Sequence, residues 1–223
     1  MIAAILGALT LAASPDASCP PISLAELRPA RGDVYQYAFW RGGQRQPGEL
    51  DMTITSSRPG DVRVDYSLLL ANGQQARAQR YRAIAGIILR SEEELSGSSP
   101  RQSRFPAINP AILEQSLAEG DEVRIYAVET ARLASGETLR HQGDYIISHA
   151  GCGELVHEGG TVQTRKLRVS YFQYIGTPDA GWTLTEPVLV YDIPVGASWF
   201  YTQHSEGNHP MQQGTIMQGY TVP

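Results

Sequence analysis

From Asp61 to Leu70 the chain alternates. Val62, Val64, Tyr66, Leu68 and Leu70 are apolar, and Asp61, Arg63, Asp65 and Ser67 between them are polar. Successive side chains of a strand point to opposite faces of the sheet, so a period of two marks a strand with one buried and one wet face. Asn72-Gly73 follows directly, a dipeptide that supplies the positive φ angles of a tight hairpin turn. The chain must therefore return antiparallel, and its core must be built from sheet faces.

The same pattern recurs on both sides. Val34 to Arg41 sets Tyr35, Tyr37 and Phe39 on one face and Trp40 on the other, and Gly42-Gly43 through Pro47-Gly48 reads as a loop. Leu50, Met52 and Ile54 alternate with Asp51, Thr53 and Thr55. Further strands are predicted at 75–82, 83–89, 122–130, 138–143, 144–149, 183–191, 198–204 and 215–222, with Pro187 consigning part of one to an edge. The stretch from Gly151 to Tyr174 reads as a hairpin: one arm at Gly153–Glu158, Gly159-Gly160 as the turn, and a long arm at Thr161–Tyr174. One helix is expected near 110–119. Asn109-Pro110 supplies its N-cap and first residue, Ile112, Leu113 and Leu117 share a face, and Gly120 stops it. About ten antiparallel strands with one short helix make a mainly β (α+β) fold. A sheet that wide should curl into a half-barrel, with the helix covering its concave face.

The 223 residues carry a net charge of −5, and Lys166 is the only lysine. That balance argues against a sequence-independent grip on phosphates, so nucleic acid is not an expected partner. Met1 to Ala13 is uncharged and apolar, with small residues following at Ser14, Ala17 and Ser18. It has the length of a signal-peptide core and is too short to span a bilayer. The expected organisation is a signal peptide over 1–18 and one β-rich domain over 19–223, exported to the periplasm with no transmembrane segment. Cys19 follows the leader, but Asp16 stands where a lipidation signal needs an aliphatic residue, so lipid anchoring is not expected. In an oxidising compartment the two cysteines, Cys19 and Cys152, are expected to pair. Closing so long a loop stabilises by about 5 kcal/mol in the chain-entropy model.

Three stretches carry a family resemblance: Gly32-Asp33-x-Tyr35-x-Tyr37; Glu154-x-Val156 with Gly160-Thr161-Val162-x-Thr164-x-Lys166-Leu167; and Tyr191-Asp192-Ile193-Pro194-Val195-Gly196. They resemble an uncharacterised group of exported, β-rich envelope proteins of Gram-negative bacteria, which are similar in part to the half-barrels that carry lipoproteins. The family places Pro-Ala before the turn glycine, whereas Glu158-Gly159 precede Gly160 here. The resemblance implies export and a half-barrel. It brings no active-site set.

No catalytic set emerges from the residues either. His157-Glu158 begins like a zinc-protease motif, but the second histidine would have to stand at Thr161, and Gly159-Gly160 would break the helix. His149, Cys152 and His157 with Cys19 could ligate a metal, as could His204, Glu206 and His209, but a disulfide with solvated histidines is the preferred reading of the first set. No cofactor is implied. The aromatic residues remain. In a half-barrel the core face is also the cavity face, so Tyr35, Tyr37, Phe39, Tyr66, Tyr171, Trp182 and Trp199 are the candidate lining of a site for a hydrophobic or lipid-like molecule, or for an envelope component. The competing readings are a structural or interaction module with a filled core, and a histidine-based hydrolase or metal enzyme.

Overall fold

The computed structural model describes residues 19–58, 61–69, 75–84, 87–94, 101–105, 108–157, 160–208, 210 and 213–221. Residues 1–18, expected to be a signal peptide, and Asn72-Gly73, Glu158-Gly159 and His209 lie outside them.

The strands are β1 (Ile22–Ser23), β2 (Val34–Arg41), β3 (Gln44–Arg58), β4 (Asp61–Leu69), β5 (Gln75–Ile84), β6 (Ile87–Glu94) and β7 (Arg101–Arg104). A single helical turn, α1 (Pro110–Leu113), precedes β8 (Ser116–Leu117), β9 (Glu122–Arg132) and β10 (Thr138–His157). The remainder are β11 (Gly160–Ser170), β12 (Gln173–Thr177), β13 (Gly181–Thr185), β14 (Val188–Pro194), β15 (Thr202–Ser205) and β16 (Gln213–Thr221). Twelve of them form one sheet in the order β6-β5-β4-β3-β2-β16-β15-β14-β11-β10-β9-β7, and β1-β8 and β12-β13 are separate two-stranded ribbons. Every ladder is antiparallel. The sheet does not close into a barrel: no ladder joins β6 to β7 among the described residues.

The sheet is strongly curled. β4 and β10 stand seven places apart in its order, which at about 4.8 Å per strand would separate them by roughly 34 Å if it were flat. Yet Tyr66 of β4 and Tyr145 of β10 line one cavity. The concave face is the core: Tyr35 and Tyr37, Leu50, Met52 and Ile54, Ile125, Tyr145, Leu167, Val169 and Tyr191 form one buried cluster.

Several local expectations are redrawn. The β2–β3 turn is Gly42-Gly43 alone, with φ of 58° and 77°, the left-handed pair that two-residue hairpins need. The strand resumes at Gln44, and the expected loop at 46–48 becomes an irregularity within β3, between the pairs Trp40–Arg45 and Ala38–Glu49. Pro47 has no N–H for the ladder, which explains why the bulge falls there. The three strands predicted between 138 and 158 are one, β10. The predicted long arm ends at Ser170, and Tyr174 joins the separate β12-β13 ribbon.

The helix begins as expected, with Asn109 accepting from the Ala111 N–H at 3.0 Å and Pro110 in its first turn. It ends after Leu113, because Leu117 is taken by β8, paired with Ile22 of β1. Ile112 and Leu113 pack against the core. The larger cover over the concave face is the β14–β15 connection, whose Trp199 and Phe200 are both fully buried.

Candidate functional site

The structure divides the seven candidate aromatics into three groups. Tyr35, Tyr37 and Trp199 belong to packed core. The Tyr35 ring stacks on Trp199 at 5.3 Å and on Tyr220 at 4.8 Å, and its hydroxyl donates to Asp33 Oδ2 at 3.1 Å. Tyr37 stacks on Phe200 at 5.1 Å and donates to the Phe200 carbonyl at 2.8 Å. Burial pushes the Tyr35 phenol far above its ordinary pKa, helped by the charge of Asp33, and burial does the same to Tyr37. Both phenols therefore stay neutral donors: Tyr37 ties the crossing segment down through the Phe200 carbonyl, and Tyr35 holds Asp33. Trp182 lies elsewhere, on the β12-β13 ribbon, with its indole N–H donated to the Arg132 carbonyl at 3.1 Å.

Phe39, Tyr66 and Tyr171 do meet. They line a cavity of about 390 Å³ on the concave face, beside the aromatic plug, a volume within the ordinary range for small-molecule sites. Trp40 of β2, Leu50 and Met52 of β3, Tyr145 of β10, Val169 of β11, and Leu189 and Tyr191 of β14 complete its apolar wall. Alternation alone could have found Leu50 and Met52, since they share the face of Tyr66 across the β3–β4 ladder.

One side of the cavity is polar. Gln203, His204, Ser205, Gln213, Gly214 and Thr215 line it from β15 and β16. Gln203, Thr215 and Phe39 are cross-strand neighbours in one row, which places all three on the concave face. Thr215 is 9% exposed, and its hydroxyl finds no hydrogen-bond partner among the described residues. Nothing in the pattern Thr202-Gln203-His204-Ser205 marks an inner face, which is why sequence reasoning missed this edge. Among the described residues no aspartate, glutamate, lysine or arginine lines the cavity.

The titratable cluster of this region centres on Asp192 and shares His204 with the cavity lining. Asp192 and Thr202 are cross-strand partners and alternate with the inward Tyr191 and Gln203. Asp192 Oδ2 accepts from Thr202 at 2.6 Å and faces His204 Nε2 at 3.2 Å, while His204 Nδ1 faces the Ser205 carbonyl at 3.1 Å. Thr164 lies 3.5 Å from Oδ1 and donates to the Gly153 carbonyl at 3.2 Å. Burial acts to raise the Asp192 pKa, but the hydrogen bonds from His204 and Thr202 outweigh it and hold it below the ordinary carboxylate value. The residues that carry the family resemblance, Thr164 and Asp192, thus meet in a polar tie between β11, β14 and β15, a fold-forming role.

Cys19 and Cys152 form a disulfide, with Cα atoms 5.5 Å apart. It fastens the N-terminal arm, whose Ile22, Leu24 and Leu27 enter the core, to β10. His149, 1% exposed, faces Cys19 Sγ through Nε2 at 3.3 Å and the Leu117 carbonyl through Nδ1 at 3.1 Å. The metal set considered from sequence is not assembled: both thiols are spent in the disulfide. No group of three or more His, Cys, Asp or Glu residues arranged for a metal occurs among the described residues. Nor, among them, is any helix long and apolar enough to cross a membrane.

No protein-family model and no curated protein matches the chain. Two solved structures are similar over most of its length. One is the hypothetical lipoprotein YmcC from Escherichia coli (K12), at 8% identity and a TM-score of 0.43, covering 91% of this chain and 89% of that one. The other is a provisionally described lipoprotein from Parabacteroides distasonis, at 8% identity and a TM-score of 0.45, covering 92% of this chain and 100% of that one.

Proposed function

We propose that this protein is an exported half-barrel that binds an uncharged, lipid-like amphiphile in its concave cavity, without catalysing a reaction on it. The observation that carries the reading is the cavity of about 390 Å³, apolar on most of its wall and edged on one side by Gln203, Ser205, Gln213 and Thr215. Burying an apolar chain there is favourable at about 25 cal/mol per Å² removed from water. The amide and hydroxyl groups would hydrogen-bond a neutral head, the unpartnered Thr215 hydroxyl among them. A carboxylate or phosphate head would find no lysine or arginine on this wall among the described residues, and His204 there is already engaged with Asp192, so the head's charge would be left unpaired at a cost.

Export to the periplasm is supported by the apolar leader and by the disulfide, which persists in oxidising compartments. While the Cys19 sulfur is held by Cys152 it cannot carry a lipid, so the reading keeps the protein unanchored through that residue. The alternative of a module with a filled core is disfavoured by the cavity itself.

Organic extraction of protein purified from its native compartment, followed by mass spectrometry in both ion modes, tests the proposal. A neutral amphiphile present in near-stoichiometric amount is expected. Protein that carries only ionised lipids, or that carries none and takes up none from mixed-lipid vesicles, would sink it.

A further inference from the structure

His149 and Cys152 are three residues apart on β10, a spacing that in a regular strand sends side chains to opposite faces. Here the ladder to β11 slips between them: His149 pairs with Leu167 and Cys152 with Arg165, so an extra residue bulges out at Ala150-Gly151. Gly151 takes a φ of 94° at the bulge, and a Cβ there would lie 2.9 Å from the Glu119 carboxylate. The slip turns both side chains to the same face, beneath Cys19. The result joins a disulfide, a buried imidazole 3.3 Å from one of its sulfurs, and a carbonyl that orients that imidazole. That is the arrangement of an activated thiol: nucleophile, base and orienting group.

We propose that Cys19–Cys152 is a thiol–disulfide exchange site in which His149 is the acid–base partner of Cys19. The reductant is a dithiol. Cys152 is exposed and Cys19 half-buried, so the incoming thiolate reaches Cys152 Sγ. A new S–S bond forms there, the Cys19–Cys152 bond breaks, and its electron pair stays on Cys19. Protonated at Nε2, His149 donates to that departing thiolate while Nδ1–H remains on the Leu117 carbonyl. The second thiol of the reductant then displaces Cys152. One dithiol leaves as a disulfide, and its two protons end on Cys19 and Cys152. In the reverse direction His149 takes the proton from Cys19.

Charges of both signs surround Cys152. Arg165, its cross-strand partner, is 6% exposed; its Nη1 reaches the Pro21 carbonyl at 3.4 Å, and its Nε has no partner among the described residues. Burial lowers the Arg165 pKa and the charge of Glu26 acts against that. The acidic groups facing the corner are Glu26, Glu119 over Gly151, and Asp121, whose carbonyl accepts the His149 N–H at 3.0 Å and whose Oδ2 is occupied by the Ala118 N–H.

Two measurements on the full chain test the proposal. In the first, the oxidised wild-type protein is treated briefly with reduced glutathione, quenched with iodoacetamide and mapped by mass spectrometry. Glutathione on Cys152 with carbamidomethyl on Cys19 is expected, and glutathione on Cys19 would overturn the assignment. In the second, the rate of reduction by dithiothreitol is followed from pH 5 to 8 in wild type and His149→Gln. Loss of the acid–base group should slow reduction about tenfold or more. Equal rates in a His149→Gln protein with unchanged circular dichroism would overturn it. Should that variant not fold, His149→Asn takes its place with the same two outcomes, and the glutathione map of the wild type stands independently of either.

Discussion

The concave face has two ends built from the same residue types and treated differently. At one, Tyr35 and Tyr37 are covered by Trp199 and Phe200, with rings 5.1–5.3 Å apart, and Tyr191 stands at the boundary, edge-on to Phe200 and lining the cavity. At the other, Phe39, Tyr66 and Tyr171 look into an open cavity. Strand alternation put all of them on the inner face. What separates core from site is the β14–β15 connection, which crosses one end and not the other. Aromatic residues at strand spacing therefore mark the face, and a single crossing segment decides whether that face is filled.

Paired substitutions sharpen the contrast. Phe200→Ala removes a ring with no exposure from the plug and should cost about 3–5 kcal/mol in urea unfolding, the usual range for a buried aromatic. Phe39→Ala removes the same ring from the cavity wall, where part of its surface is already uncovered, and should cost about 1–2 kcal/mol. Equal losses would mean the two ends are packed alike.

The polar tie around Asp192 ranks next. Asp192→Ala should cost about 2–4 kcal/mol, because it strips the bonds from Thr202 and leaves His204 without its carboxylate. The pH dependence has a definite sign. Since the folded-state pKa of Asp192 is depressed, its contribution is complete above the unfolded value of about 3.9. It is lost as pH falls through the lower folded value. Unfolding measured between pH 2 and 6 should show the wild type losing stability at the acid end more steeply than Asp192→Asn.

Tyr37→Phe, which removes the bond to the Phe200 carbonyl and leaves that carbonyl unpaired, should cost about 1–2 kcal/mol. Thr215→Val should change stability least, within about 0.5 kcal/mol, because the hydroxyl it deletes has no partner among the described residues. Its effect should fall on ligand binding instead.

Much of this architecture was legible where the chain obeys period two. The inner faces of β2, β3 and β4 and the cap of the helix follow from Tyr35 and Tyr37, from Leu50, Met52 and Ile54, and from Asn109-Pro110. The cysteine pairing followed from compartment and count. What escaped the reading were departures from the period. Trp199 and Phe200 are consecutive and both buried in the connection itself, which alternation with one wet face does not foresee, and the strand predicted at 198–204 is Thr202–Ser205. The slip at Ala150-Gly151 brings His149 and Cys152 together through one extra residue, a change invisible in composition. The polar rim at Gln203 and Thr215 lacks a hydrophobic signature altogether. Trp182 was assigned to the cavity because it is aromatic and near a strand, yet its strand belongs to a ribbon outside the main sheet.

The most direct test of an open, neutral-lined cavity is a titration of the purified protein with an uncharged naphthylamine fluorophore. Wild type and Val169→Trp, which should fill the space beside Tyr171, would be compared with a monoacylglycerol and an ionised fatty acid as competitors. Saturable binding at one site is expected in wild type, displaced by the monoacylglycerol in clear preference to the fatty acid, and lost in Val169→Trp with melting temperature retained. No saturable binding to the wild type, equal binding by a folded Val169→Trp, or preference for the fatty acid would contradict it.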